Sequence, residues 1–106
     1  MNVKFKIWFE SDDGKYLFGE GLYELLSKIK EHGNLRDAVK EMNMSYRYAW
    51  GKIKNFEKLH GKKIVETKRG GKLKGNAVLT DYGSYLLKEY EKYIDLFKYY
   101  IKRPYR

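Results

Sequence analysis

At 106 residues the chain has length for one domain with one modest core, and it holds no cysteine, which excludes disulfides and thiolate metal sites. Its formal charge of +9 is unevenly held: Ser45 to Asn76 carry ten Lys or Arg against two acids, while the other 74 residues carry 13 basic and 12 acidic groups. Such a local excess is the footprint of a polyanionic partner, whereas a membrane partner is not expected because no apolar run approaches a span.

The N-terminus lacks an apolar stretch followed by a cleavage site, so a cytoplasmic location is expected. Lys4 to Glu10 alternates, with Phe5, Ile7 and Phe9 on one face, which predicts a strand. Asp12-Asp13-Gly14 is a turn signal and Tyr16-Leu17-Phe18 reads as the partner strand, so residues 1–19 are expected to form a hairpin. Glu10, Asp12 and Asp13 read as a solvated turn, since the oxygen-rich loop of a calcium site is absent. Leu22, Leu25, Leu26 and Ile29 then mark one face of a helix that stops at Gly33.

Asn34 to Phe56 reads as a helix-turn-helix. Leu35, Ala38, Val39 and Met42 share one face of a short helix, with Asn34 as N-cap and Asp37 in its first turn. Asn43 suits the left-handed exit of that helix. Ser45 caps a second helix with Ala49, Trp50, Ile53 and Phe56 inward and Arg47, Tyr48, Gly51, Lys52, Asn55 and Lys58 outward. Two short helices with a basic, polar outer face suit a major groove. Arg47, Tyr48, Lys52 and Asn55 are expected to reach base edges, with Gly51 allowing close approach. Ser45 and Lys54 are expected on phosphate, and Tyr46 and Lys58 border the same face. These helices and the preceding one form a three-helix core over residues 20–62.

The period then changes. Ile64 to Thr67 and Ala77 to Leu79 are β-prone and flank a basic, glycine-rich loop from Lys68 to Asn76. Residues 63–79 are therefore predicted to form a wing, in which Gly70 and Gly71 allow close approach to phosphate and Lys68, Arg69, Lys72 and Lys74 supply charge. A nucleotide-binding loop is disfavoured because the Walker spacing is missing. Thr80 caps a last helix over residues 80–103, which Pro104 stops. Its stripe of Leu86, Tyr90, Tyr93, Ile94, Phe97, Tyr100 and Ile101 exceeds what one small core covers, and predicts a homodimer interface.

No convergent acid, base and nucleophile appear, and His32 and His60 stand apart, so neither an enzyme nor a metal or other cofactor is expected. The residues thus predict an α+β fold: a single winged helix-turn-helix domain over 1–106, with an N-terminal β-hairpin and a long C-terminal dimerisation helix. The expected role is sequence-specific double-stranded DNA binding in transcription regulation. The alternatives are a sequence-tolerant, chromatin-type nucleic-acid-binding protein and a winged-helix protein-interaction module.

Met44-Ser45-Tyr46-Arg47-Tyr48-Ala49-Trp50, Val65-Glu66, Gly70-Gly71-Lys72, Ala77-Val78-Leu79-Thr80 and Tyr82-Gly83 together resemble the DNA-binding domain of the molybdate-dependent transcriptional regulator (ModE) family. More distantly the chain is similar to the helix-turn-helix of LysR-type regulators. The resemblance covers roughly Leu22 to Tyr93 and implies a winged helix-turn-helix under oxyanion control. Two departures stand out. Leu73, Lys74, Gly75 and Asn76 replace a glycine run, and the family's oxyanion-binding domains have no counterpart here. Any sensing is therefore expected from a separate, sensor-bearing protein.

Overall fold

The computed structural model of the chain describes residues 1–68 and 76–102. It is α+β, with elements in the order β1 (Phe9–Glu10), β2 (Tyr16–Phe18), α1 (Glu20–His32), α2 (Leu35–Glu41), α3 (Tyr46–His60), β3 (Val65–Lys68), β4 (Asn76–Leu79) and α4 (Asp81–Lys102). Each strand pair is antiparallel and separate from the other.

Helix boundaries follow local chemistry. Gly33 and Gly61 end α1 and α3 at φ 75° and 65°, where a side chain would be strained. Asn43 takes φ 57° between α2 and α3, as its tolerance of the left-handed region allows. The side chains of Asn34, Ser45 and Thr80 accept from the backbone N–H groups of Asp37 (2.8 Å), Tyr48 (3.0 Å) and Gly83 (3.0 Å). Each removes an orphan donor from the first turn of a helix.

The core collects one face of every helix. Leu22, Leu25, Leu26 and Ile29 of α1 meet Leu35, Ala38 and Val39 of α2, Ala49, Ile53 and Phe56 of α3, and Leu86, Leu87 and Tyr90 of α4. Phe18 seals the N-terminal side with its ring edge-on to Phe56 and Tyr90. The second hairpin is tied in at two points. Ala77 N–H donates to Gly33 O at 3.0 Å, and Thr80 donates through N–H (3.0 Å) to Ile64 O and through Oγ1 (2.7 Å) to Lys63 O. Gly83 lets α4 cross there, because a Cβ would stand 2.3 Å from Ile64 O.

Two expectations are corrected. The N-terminal strand is two residues long, not seven: Phe9 and Glu10 alone pair with β2. Phe5, Ile7 and Phe9 do share a face, but α4 covers it in place of a strand. Phe5 lies against Phe97, Phe9 against Tyr90 and Tyr93, and the Ile7 carbonyl accepts from Tyr90 Oη at 2.8 Å. The second correction concerns Leu86 and Tyr90, which the sequence pattern puts in a dimer interface. They are 7% and 2% exposed within the single chain, so its own core consumes them. Beyond them α4 runs out along a body 60 Å long, with Leu96, Phe97, Tyr99, Tyr100 and Ile101 exposed.

Candidate nucleic-acid interface

The candidate interface lies on α3, whose inner face is fixed by Ala49, Ile53 and Phe56. At 100° per residue this leaves Arg47, Gly51, Lys54, Asn55 and Lys58 on the far side, and all five are exposed. Gly51 faces open space: no atom of the chain lies within 4 Å of where its Cβ would stand. Tyr48 is exposed beside them. Lys52 is half-buried, its ammonium 5.4 Å from the Tyr48 ring centroid and 3.8 Å from where a Cβ on Gly21 would be. It thus leans towards the start of α1, on the flank of the face rather than its centre.

Trp50, read from the sequence as inward, is only half-buried. Tyr46 meets it edge-on at 6.3 Å and Lys54 Nζ lies 5.2 Å from its ring. Tyr46 itself is half exposed, so an aromatic pair borders the basic face at the start of α3. Ser45 is engaged as the helix cap through its Oγ, which accepts from Tyr48 N–H.

Lys68 ends β3, where it pairs with Asn76 of β4, and Asn76 also bridges to Asn34 at the start of α2. The Lys68–Asn76 end of the hairpin therefore lies beside the start of α2. Arg69, Gly70, Gly71, Lys72 and Lys74, expected at the tip, lie outside the described residues.

Glu57 was not singled out from sequence, yet it connects the two parts. Its Oε2 accepts from the backbone N–H of Ile64 (2.8 Å) and Val65 (3.4 Å), and its Oε1 lies 3.6 Å from Lys54 Nζ. The carboxylate thus clamps the first residues of β3 to α3. His60 is half-buried, its ring tilted against that of Phe56 with 4.3 Å between centroids.

Among the described residues one group could gather around a metal: Glu31, His32 and Glu41, all exposed. Lys28 already occupies this corner, donating to Glu41 (2.9 Å) and Glu31 (3.3 Å), while His32 Nε2 pairs with Glu41. The hydrogen bond from His32, then that from Lys28, holds the Glu41 carboxyl below the usual range. The arrangement reads as an ion network linking α1 to α2. No described helix is long and apolar enough to cross a membrane.

Four helices and two short β-hairpins, with the second hairpin following a helix-turn-helix, make an α+β arrangement compatible with a winged helix. No protein-family model matches the chain. Individual relatives do. The chain is 37% identical over 67 residues, 63% of its length, to the DNA-binding transcriptional dual regulator ModE of Escherichia coli (strain K12). It is 33% identical over 67 residues to the transcriptional regulator ModE of Haemophilus influenzae, and 35% identical over 63 residues to the molybdenum-pterin-binding protein MopA of Rhodobacter capsulatus. The resemblance to ModE-type regulators carried by Met44 to Trp50 and the motifs after it is therefore borne out. The chain spans about a quarter of the length of these curated relatives, 24–26%.

Proposed function

We propose that these residues form a single winged helix-turn-helix domain of a transcription regulator, working in the cytoplasm, that binds double-stranded DNA as a homodimer. In this reading α3 enters the major groove and β3–β4, with the basic loop between them, lies on the flanking backbone. The observation that carries it is the outer face of α3. Arg47, Asn55 and Lys58 stand exposed around an unobstructed Gly51, within the segment that holds +8 of the chain's charge.

Arg47 and Asn55 have the donor and acceptor sets that pair with guanine and adenine edges, and Tyr48 adds a polar, aromatic contact. Lys54, Lys58 and Lys52 on the flanks, with Lys68, Arg69, Lys72 and Lys74 of the loop, neutralise phosphate. The relatives' printed function, transcription regulation, agrees with this assignment. Exposed Tyr93, Phe97, Tyr100 and Ile101, with half-buried Ile94, supply the apolar surface for a second copy.

Selection of bound duplexes from a random pool tests the reading. A symmetric dimer selects an inverted repeat whose half-site centres lie ~34–36 Å apart, or a multiple of it. A pool that stays unenriched at every position would reject sequence-specific recognition in favour of charge-driven binding.

A further inference from the structure

The stretch ahead of β1 has the side-chain pattern of a strand and lacks a strand's partner. Phe5 and Phe9 lie against Phe97 and Tyr93 of α4, while Lys4, Lys6 and Trp8 are exposed. Contacts that alternate along the chain mark extended backbone. Yet the backbone groups of Val3 to Ile7 make no backbone hydrogen bond among the described residues. The one carbonyl with a side-chain partner there is that of Ile7, which accepts from Tyr90 Oη. The cause is the length of β2. It ends at Phe18, opposite Phe9, and the chain enters α1 at Glu20, so nothing of β2 remains to pair with residues 3–7.

A groove of about 460 Å³ runs along this unpaired stretch. Five consecutive residues, Val3 to Ile7, line it, so backbone forms much of one wall, and α1 and α4 form the others. Its apolar side is Tyr23 and Tyr90, with 4.6 Å between ring centroids, together with Ile94 and Ile101. Its charged groups are Lys4, Lys6, Lys98 and Lys102 against Glu20 and Glu24, and none of them enters an ion pair among the described residues. Four ammonium groups against two carboxylates favour an acidic occupant over a basic one.

We propose that this groove receives an extended segment of another protein by strand addition, and that the segment alternates apolar and acidic residues. Laid beside residues 3–7, it supplies the backbone partners they lack. Its side chains on the face shared with Phe5 and Ile7 meet Tyr23, Tyr90 and Ile94, which selects apolar residues. Those on the other face stand across from Lys4 and Lys6, where carboxylates are the favoured cross-strand neighbours. The same stretch of a second copy does not meet this requirement, because in register it sets lysine against lysine. The groove is also distinct from the surface assigned above to a second copy. At 100° per residue Lys98 and Lys102 lie on one side of the line through Ile94 and Ile101, and Tyr93, Phe97 and Tyr100 lie on the other.

A capped peptide of alternating valine and glutamate, about seven residues long so as to span the groove, tests the proposal when titrated into the full chain. Amide hydrogen exchange should show saturable binding that slows alternate amides of residues 3–7 and leaves α3 unchanged. Esters in place of the peptide amides that face residues 3–7 remove donors without adding bulk, and should weaken binding about tenfold. Esters at the intervening positions should change it little. Lys4→Glu/Lys6→Glu alters two exposed side chains and should switch preference to a valine–lysine peptide. Equal loss from both sets of esters, or protection along α3 in place of residues 3–7, would reduce the interaction to charge attraction and overturn the proposal. Absence of binding at millimolar peptide would overturn it too. Protection of residues 3–7 that grows with the concentration of the protein alone would make a second copy the occupant, against the assignment made here.

Discussion

Gly51 and Gly83 both sit inside helices, where glycine is unfavourable, and they are there for opposite reasons. A Cβ on Gly83 would strike the Ile64 backbone carbonyl, so Gly83→Ala forces α4 off β3 and should destabilise the fold by about 1–3 kcal/mol, read as a lower urea midpoint. A Cβ on Gly51 meets nothing. Gly51→Ala should therefore raise stability by about 0.5–1 kcal/mol through backbone entropy and helix propensity, yet weaken duplex binding if α3 packs against base edges. A higher Tm with unchanged affinity would take Gly51 out of the interface. Arg47→Ala should lose about 1–3 kcal/mol on the selected site and relax preference at one base position; equal loss on random duplex would reassign it to phosphate. Gly51 was legible in the sequence because it interrupts a polar helical face. Gly83 and Glu57 were not, because what each meets is backbone at another point of the chain, and backbone leaves no mark in residue type.

The helices show where sequence periodicity is decisive and where it stops. The apolar faces of α1 and α2, the caps Asn34, Ser45 and Thr80 and the turn at Asn43 are all as their residues predict, because each depends on neighbours within one or two turns. Phe5, Ile7 and Phe9 are a different case. Alternation tells that they share one side but not whether a strand or a helix meets it, and α4 does. The stripe of α4 has the same ambiguity: Leu86 and Tyr90 are consumed by the core, and the periodicity does not change where the core ends. Glu in place of Phe97 or Ile101 should accordingly yield a folded monomer by light scattering, while Glu at Leu86 should unfold the chain. The link between α1 and α2 makes a pH prediction. Because His32 and Lys28 lower the folded pKa of Glu41, its contribution is fully present above the ordinary carboxylate value of 4.5 and is lost as pH falls below it. Glu41→Gln should flatten that acid limb of the stability curve relative to wild type, and an unchanged limb would show that the network adds nothing.

At the scale of the whole molecule, resemblance and residues point different ways on control. The resemblance implies an oxyanion effector, and MopA and MopB are named for binding molybdenum-pterin, but the chain spans only about a quarter of the length of those relatives. Capturing molybdate in a closed site requires converging backbone amides or hydroxyls sheltered from water. Among the described residues no charged residue is buried, the Oη of buried Tyr90 is spent on the Ile7 carbonyl, and the buried His60 Nε2 is a single nitrogen rather than a converging set. The amide clusters best suited to an anion, the first turns of α2, α3 and α4, are already occupied by the oxygens of Asn34, Ser45 and Thr80. The α1 start has no such cap, but it opens with Glu20, whose charge repels an anion. The glycine-rich stretch from Gly70 to Asn76 is proposed to meet DNA, so on that reading an anion held there would compete with phosphate. Molybdate at micromolar concentration should therefore leave the Tm of these 106 residues and their affinity for duplex unchanged. Calorimetry showing saturable micromolar binding to this chain alone would overturn that expectation and place the sensor within the DNA-binding fold itself.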